Sequence, residues 1–162
     1  MNSNLLILRR HVAPQSEPDY ILPLTAAQRL VLRGRRQTSC GKDVLLQIPR
    51  NHVLNPGDCL SDETHSVFVQ VTAAGEHLMR VTAENSIDLM KAAFHLGNRH
   101  VDVELHEHEL WLLEDSVLKA MLEARGLNVG LCCRSFYPEN GAYAGHHSCL
   151  LYTSDAADDV NG

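Results

Sequence analysis

Asn85-Ser86-Ile87-Asp88-Leu89-Met90-Lys91-Ala92-Ala93-Phe94-His95-Leu96-Gly97 has the spacing of an amphipathic helix. Asn85 or Ser86 can cap it through a side-chain oxygen, and Ile87, Met90 and Phe94 recur on one apolar face expected to meet a core. Gly97 stands where a left-handed C-terminal cap is expected. Upstream, His77-Leu78-Met79-Arg80-Val81 reads as a strand. Downstream, Val101, Val103 and Leu105 alternate with Asp102, Glu104 and His106, the period of a half-buried strand. Leu110 to Leu113 forms the next strand. Asp115 or Ser116 caps a second helix through Val117, Leu118, Met121 and Leu122, ending near Gly126, and Val129 to Cys133 makes a last strand. The order βαββαβ is that of a ferredoxin-like domain, which constrains the fold and leaves function open.

The first half has a different rhythm. Leu5 to Leu8 is a short apolar run, residues 29–37 read as a strand ending in basic residues, and Val44 to Ile48 runs back after a turn at 38–43. Asn55-Pro56-Gly57-Asp58 is another turn, and Val67, Val69 and Val71 alternate with Phe68 and Gln70. Short strands with close turns indicate a small β-barrel or sandwich. The chain is therefore expected to be α+β, with a β domain over 1–74 that grips a partner or peptide and a ferredoxin-like domain over 75–143. Residues 144–148 would begin a flexible histidine-containing tail. From Cys149 the sequence Cys-Leu-Leu-Tyr-Thr-Ser-Asp-Ala-Ala-Asp-Asp reads like translated sequencing-library adapter, so 149–162 is expected to be non-native and the native C-terminus missing.

Apolar residues at 44% and charged residues at 21% are ordinary for a globular protein, and 162 residues allow one good core or two small ones. No apolar run is long enough for a membrane span, and Met1-Asn2-Ser3-Asn4 does not open a signal peptide, so the cytoplasm is the expected compartment. Five cysteines without a CxxC pair do not suggest a disulfide framework or a structural zinc site. A formal charge of -6 argues against nucleic acid, as does the missing aromatic strand motif of RNA-binding ferredoxin-like domains. His106-Glu107-His108-Glu109-Leu110 breaks the H-E-x-x-H spacing of zinc hydrolases, and no deaminase, phosphate-loop or G-x-S-x-G motif is present, so catalysis is not expected. Ten histidines point weakly to metal.

Phe94-His95-Leu96-Gly97-Asn98-Arg99-His100-Val101 resembles the most distinctive stretch of the UreE urease accessory family. Leu24 to Arg29, Arg33-Gly34-Arg35, Gly41 to Leu46 and Leu54 to Asp58 precede it in that family's order. Leu112 to Leu118, Met121-Leu122 and Phe136 to Tyr143 follow, so the likeness spans roughly residues 5–147. The resemblance implies a nickel-binding chaperone that dimerises through the ferredoxin-like domain. It also implies passage of Ni(II) towards apo-urease through a GTP-hydrolysing accessory protein. Two departures stand out. Asp62-Glu63-Thr64-His65-Ser66 replaces a short Asp-Gly turn, and the histidines some members carry near Leu113, Glu114 and Ser116 are absent.

His95 lies in the last turn of its helix, about 100° round from Phe94 and in line with Asp88, Lys91 and Ala92, so it should face away from its own core. A histidine near a helix end is ordinarily a surface or capping residue. The family motif makes His95 the principal metal-ligand candidate, paired with its own copy across a two-fold axis. Cu(II) and Zn(II) would compete with Ni(II) for imidazole. His100 reads as structural, hydrogen-bonded within its turn. His106 and His108, at i, i+2 with Glu104, could make an auxiliary site if the strand continues. The resemblance also implies a contribution from tail histidines, here His146 and His147. Cys132 and Cys133 point to opposite strand faces and, like Cys40 and Cys59, read as packing residues. Two alternatives remain: a protein-binding adaptor in which the histidines are incidental, and a broad-specificity metal buffer.

Overall fold

A computed structural model describes residues 5–50 and 53–140, and these fall into two compact units divided after Thr72. The first contains β1 (Leu6–Leu8), β2 (Arg10–Val12), β3 (Tyr20–Leu24), α1 (Ala26–Arg29), β4 (Arg33–Gln37), β5 (Asp43–Gln47), β6 (Cys59–Ser61) and most of β7 (Phe68–Ala73). Its strands form a three-stranded sheet, β1-β5-β4, and a four-stranded sheet, β2-β6-β7-β3. Alternation places Leu8, Val44 and Leu46 from one sheet in the same core as Leu22, Leu24, Leu60, Val69 and Val71 from the other. This is a sandwich-like arrangement, with no closed barrel among the described residues.

The strand expected over 29–37 begins later. Thr25 and Gln28 form a reciprocal capping box, with Gln28 N–H donating to Thr25 Oγ1 at 3.1 Å and Thr25 N–H to Gln28 Oε1 at 3.0 Å. That pairing commits Ala26–Arg29 to a helical turn. Arg29 is buried and donates to the Leu24 carbonyl at 3.0 Å, so the basic character begins inside the unit.

Residues 62–67 connect β6 to β7. Asp62 organises them. Its carboxylate accepts the Ser66 and Val67 N–H groups at 2.8 and 3.1 Å and the Ser66 and Thr64 hydroxyls at 2.6 and 3.0 Å. The Ser66 hydroxyl is the largest cause of a carboxyl pKa held down to about 2. A depressed folded-state pKa gives stability that is present above the unfolded value and lost as pH falls through the folded one. Asp62→Ala should therefore cost about 1 kcal/mol at neutral pH. The difference from the parent should shrink in acid melts between the ordinary carboxylate range and pH 2. Equal stability at pH 7 would remove the turn's dependence on Asp62.

The second unit, Ala73–Glu139, contains β8 (Gly75–Thr82), α2 (Ser86–Asn98), β9 (Glu104–Leu105), β10 (Leu110–Leu113), α3 (Ser116–Ala124) and β11 (Asn128–Ser135). Sheet order β11-β8-β10-β9, with every neighbouring pair antiparallel, is the ferredoxin-like arrangement expected from the element order. Asn85 caps α2 through Asp88 N–H, and Asp115 caps α3 through the Val117 and Leu118 N–H groups. Met79, Val81, Leu110 and Leu112 of the sheet pack with Leu89, Ala92, Leu96 and Leu122 of the helices.

Three expectations are corrected here. The face of α2 that meets the sheet is Leu89, Ala92 and Leu96, while Ile87, Met90 and Phe94 are 51%, 61% and 65% exposed. Both stripes have helical spacing, and one sheet face can cover only one of them. Gly97 lies inside α2, and His100 takes the left-handed position, with φ 59°. The alternation over 101–106 also fails: only Glu104 and Leu105 pair as strand, with Val103 and Glu104 buried and Leu105 exposed.

Candidate metal centre

The C-terminal end of α2 is closed by two backbone hydrogen bonds. His100 N–H donates to the Gly97 carbonyl and Val101 N–H to the Leu96 carbonyl, both at 3.0 Å, the pattern of a Schellman cap. Val101 packs against the core and anchors the turn. This gives His100 the structural role read from the sequence, yet its imidazole is exposed and its backbone sits where glycine costs less. His95 stands one turn earlier, half-buried, with its ring edge-on to Phe94 (centroids 5.5 Å apart, planes at 76°). Two imidazoles thus flank a helix C-terminus, whose carbonyl oxygens favour a cation. The exposed stripe of Ile87, Met90 and Phe94 leads up to them.

The hairpin between β9 and β10 holds the second group. His106 N–H closes the turn on the Glu109 carbonyl at 3.0 Å, so His106 and His108 lie in the turn rather than along a continuing strand. The His106 Nε2 is 2.6 Å from Glu104 Oε2. His108 is almost wholly exposed and lies 3.7 Å from Glu107. Glu104 is 5% exposed and sits at the centre of a cluster. Arg134 Nη2 donates to Oε2 at 2.6 Å and Tyr137 N–H to Oε1 at 2.9 Å, and the Arg134 guanidinium lies 4.0 Å over the Trp111 ring. Burial pushes the Glu104 carboxyl up, but Arg134, the Tyr137 N–H and His106 together hold it below the usual glutamate value. Glu109 is likewise lowered by Trp111 Nε1–H and Arg80. Among the described residues, no three His, Cys, Asp or Glu side chains converge as a metal site.

The family model for the UreE urease accessory protein C-terminal domain matches residues 76–157, and the N-terminal domain model matches 6–74. The chain belongs to the UreE family of urease accessory proteins. A urease accessory protein UreE of Parasynechococcus marenigrum is 55% identical over 147 residues, covering 90% of this chain and 98% of that one. The Synechococcus sp. CC9311 UreE is 62% identical over 125 residues, covering 77% and 81%, and that of Nostoc punctiforme is 44% identical over 128 residues, covering 79% and 86%.

His146 and His147 and the segment 149–162 lie outside the described residues. Of the four described cysteines only Cys59 is a packing residue; Cys40, Cys132 and Cys133 are exposed. The two exposed thiols of β11 lie on an edge strand of their sheet. The Thr38 hydroxyl is the main influence lowering the Cys40 thiol pKa, and burial raises that of Cys59. Sequence reasoning missed Glu104 as a buried anchor. Its signal was faint: an acidic residue between two apolar ones, with its arginine partner thirty positions away in the last strand. No helix among the described residues is long and apolar enough to cross a membrane.

Proposed function

We propose that this member of the UreE family is a cytoplasmic, non-catalytic carrier of Ni(II), which it binds as a homodimer and delivers for assembly of the urease metallocentre. The observation that carries the reading is the juxtaposition at the end of α2 of an uncovered apolar stripe with His95 and His100. A second copy covering Ile87, Met90 and Phe94 would remove apolar surface from water and bring symmetry-related imidazoles together. His95 remains the principal candidate. His100 joins it because an exposed imidazole is held at a strained position that glycine fills more cheaply. Few protein ligands and open coordination positions suit a carrier that must release its cargo. Cu(II) and Zn(II) compete for the same donors, so selectivity for nickel would rest on supply and on the receiving partner. That partner would be the GTP-hydrolysing urease accessory protein, acting with apo-urease. Tail residues His146 and His147 would add ligands, and His106 and His108 would form an auxiliary site. In that site the carboxylate of Glu104 orients the His106 ring.

Nickel calorimetry on the full chain, beside His95→Ala and His100→Gly and with light scattering on each, tests this. The site at the end of α2 should fill in the parent at about one ion per two chains, as a ligand shared across a two-fold axis requires, with any ion at the auxiliary site counted as a separate step. Both variants should stay dimeric, and at least one should lose the site. His100→Gly should also raise thermal stability, by about 1 kcal/mol, because it relieves the left-handed strain. Binding unchanged in both variants would take the metal away from the end of α2.

A further inference from the structure

The three-stranded sheet of the N-terminal unit ends at β4, which pairs with β5 on one side only. The bonds Thr38 N–H to Lys42 O and Ile48 N–H to Leu32 O set the phase of that ladder. Hydrogen-bonded pairs recur at every second residue, so Gly34 and Arg36 face β5 through Leu46 and Val44. The N–H and C=O groups of Arg33, Arg35 and Gln37 then point away from the sheet. All three side chains are exposed, and β5 is the only strand paired with β4 among the described residues. The open stretch ends at Gln37, because Ser39 N–H donates to the Ile21 carbonyl of β3 at 2.8 Å.

Arg36 adds a second observation. Its guanidinium reaches the same edge, where Nη1 donates to the Arg35 carbonyl at 2.8 Å. Its Nε is shielded from water and has no hydrogen-bond partner. Gly34 beside it takes φ 140°, a conformation that favours glycine, and a Cβ there would meet Arg36 Nη1 at an ordinary contact distance of 3.6 Å. A shielded N–H without an acceptor is costly, and a carboxylate can meet a guanidinium through two parallel bonds. Among the described residues, the only acidic group in an ion pair with these arginines is Asp43, 3.9 Å from Arg35 Nη1. Residues 1–72 carry eight Lys and Arg against six Asp and Glu, in a chain whose overall formal charge is -6. Leu30 and Val31, exposed just before the strand, supply apolar footing.

We propose that the outer edge of β4 accepts an extended acidic segment of a partner protein as an added strand. The backbone of Arg33, Arg35 and Gln37 makes the ladder, and Arg33, Arg35 and Arg36 pair with carboxylates on the incoming strand. This does not depend on the metal reading and is tested on metal-free protein in the presence of chelator. The probes are a synthetic peptide alternating Glu with Val and a matched peptide alternating Lys with Val. Amide hydrogen exchange is read residue by residue by NMR on the full chain. The Glu peptide should slow exchange at Arg33, Arg35 and Gln37 by about tenfold or more, while Gly34 and Arg36, already bonded to β5, change little. Arg33→Glu with Arg35→Glu should weaken binding by about tenfold. If the Glu peptide leaves those three amides unprotected, or the Lys peptide protects them equally, the proposal fails. The arginines then serve only to keep a free edge from pairing with other chains.

Discussion

Glu104→Ala is expected to lower the stability of the C-terminal unit by roughly 3 kcal/mol, enough to move a domain of this size by about 15 °C in a thermal melt. The carboxylate is 5% exposed and accepts from Arg134, from the Tyr137 N–H and, at 2.6 Å, engages His106. Removing it leaves a guanidinium stacked on Trp111 without its counter-charge and a main-chain donor without its acceptor. Loss of one partner from a buried pair is costly for that reason. The Arg134 side chain is 30% exposed and can recover some hydration, which sets the estimate at the low end of the range for such losses. Glu104→Gln keeps the acceptor for Tyr137 and should fall between parent and Ala. The sign with pH follows from the lowered carboxyl pKa. The stabilisation is present above the unfolded glutamate value and declines as pH falls through the lower folded one. A melt of Glu104→Ala within 1 kcal/mol of the parent would show that the cluster is spectator packing.

The second large effect is expected at Leu96, which is fully buried where α2 lies on the sheet. Leu96→Ala should cost about 3 kcal/mol, from lost transfer energy and the cavity left behind. Its main-chain carbonyl, which accepts the Val101 N–H that closes the helix, is kept in the variant, so the cap that positions His100 should persist. The contrast with Phe94→Ala is the informative part. Phe94 is larger but 65% exposed, and its loss should change the monomer's stability by no more than about 0.5 kcal/mol while weakening association of two chains. Denaturant titration below and above the dimerisation range separates the two. Equal losses at both positions in the monomer would put Phe94 back in the core.

These two residues show where the sequence was readable and where it was not. Element order and caps were legible: Asn85 and Asp115 both cap as their side-chain chemistry predicts, and Gly126 ends α3 region in a left-handed turn with φ 86°. The inner face of α2 was not, because Ile87-Met90-Phe94 and Leu89-Ala92-Leu96 repeat with the same spacing. Periodicity detects an apolar stripe but does not say what covers it. The larger side chains drew the assignment to the outer stripe. Gly97 misled in a similar way. Glycine is the residue expected at a left-handed cap, and the chain spends that conformation on His100 instead. Around Glu104 the apolar alternation concealed a buried charge, since a carboxylate inside a strand pattern is read as solvent-facing unless its distant arginine is known. At the candidate metal centre, the family motif pointed to the end of α2. Which imidazole is presented, and on which side, depended on backbone dihedral angles that a sequence pattern does not display.

The pairing of β11 with β8 runs from Gly75 opposite Ser135 to Thr82 opposite Asn128, so the two ends of the C-terminal unit lie side by side. Chain entropy is therefore spent mainly on one closure that spans nearly the whole unit, and folding must wait for this clasp. The same adjacency makes the unit suited to circular permutation. A short linker could join its natural ends, with new termini opened in the exposed turn at His108, and every strand would keep its neighbours.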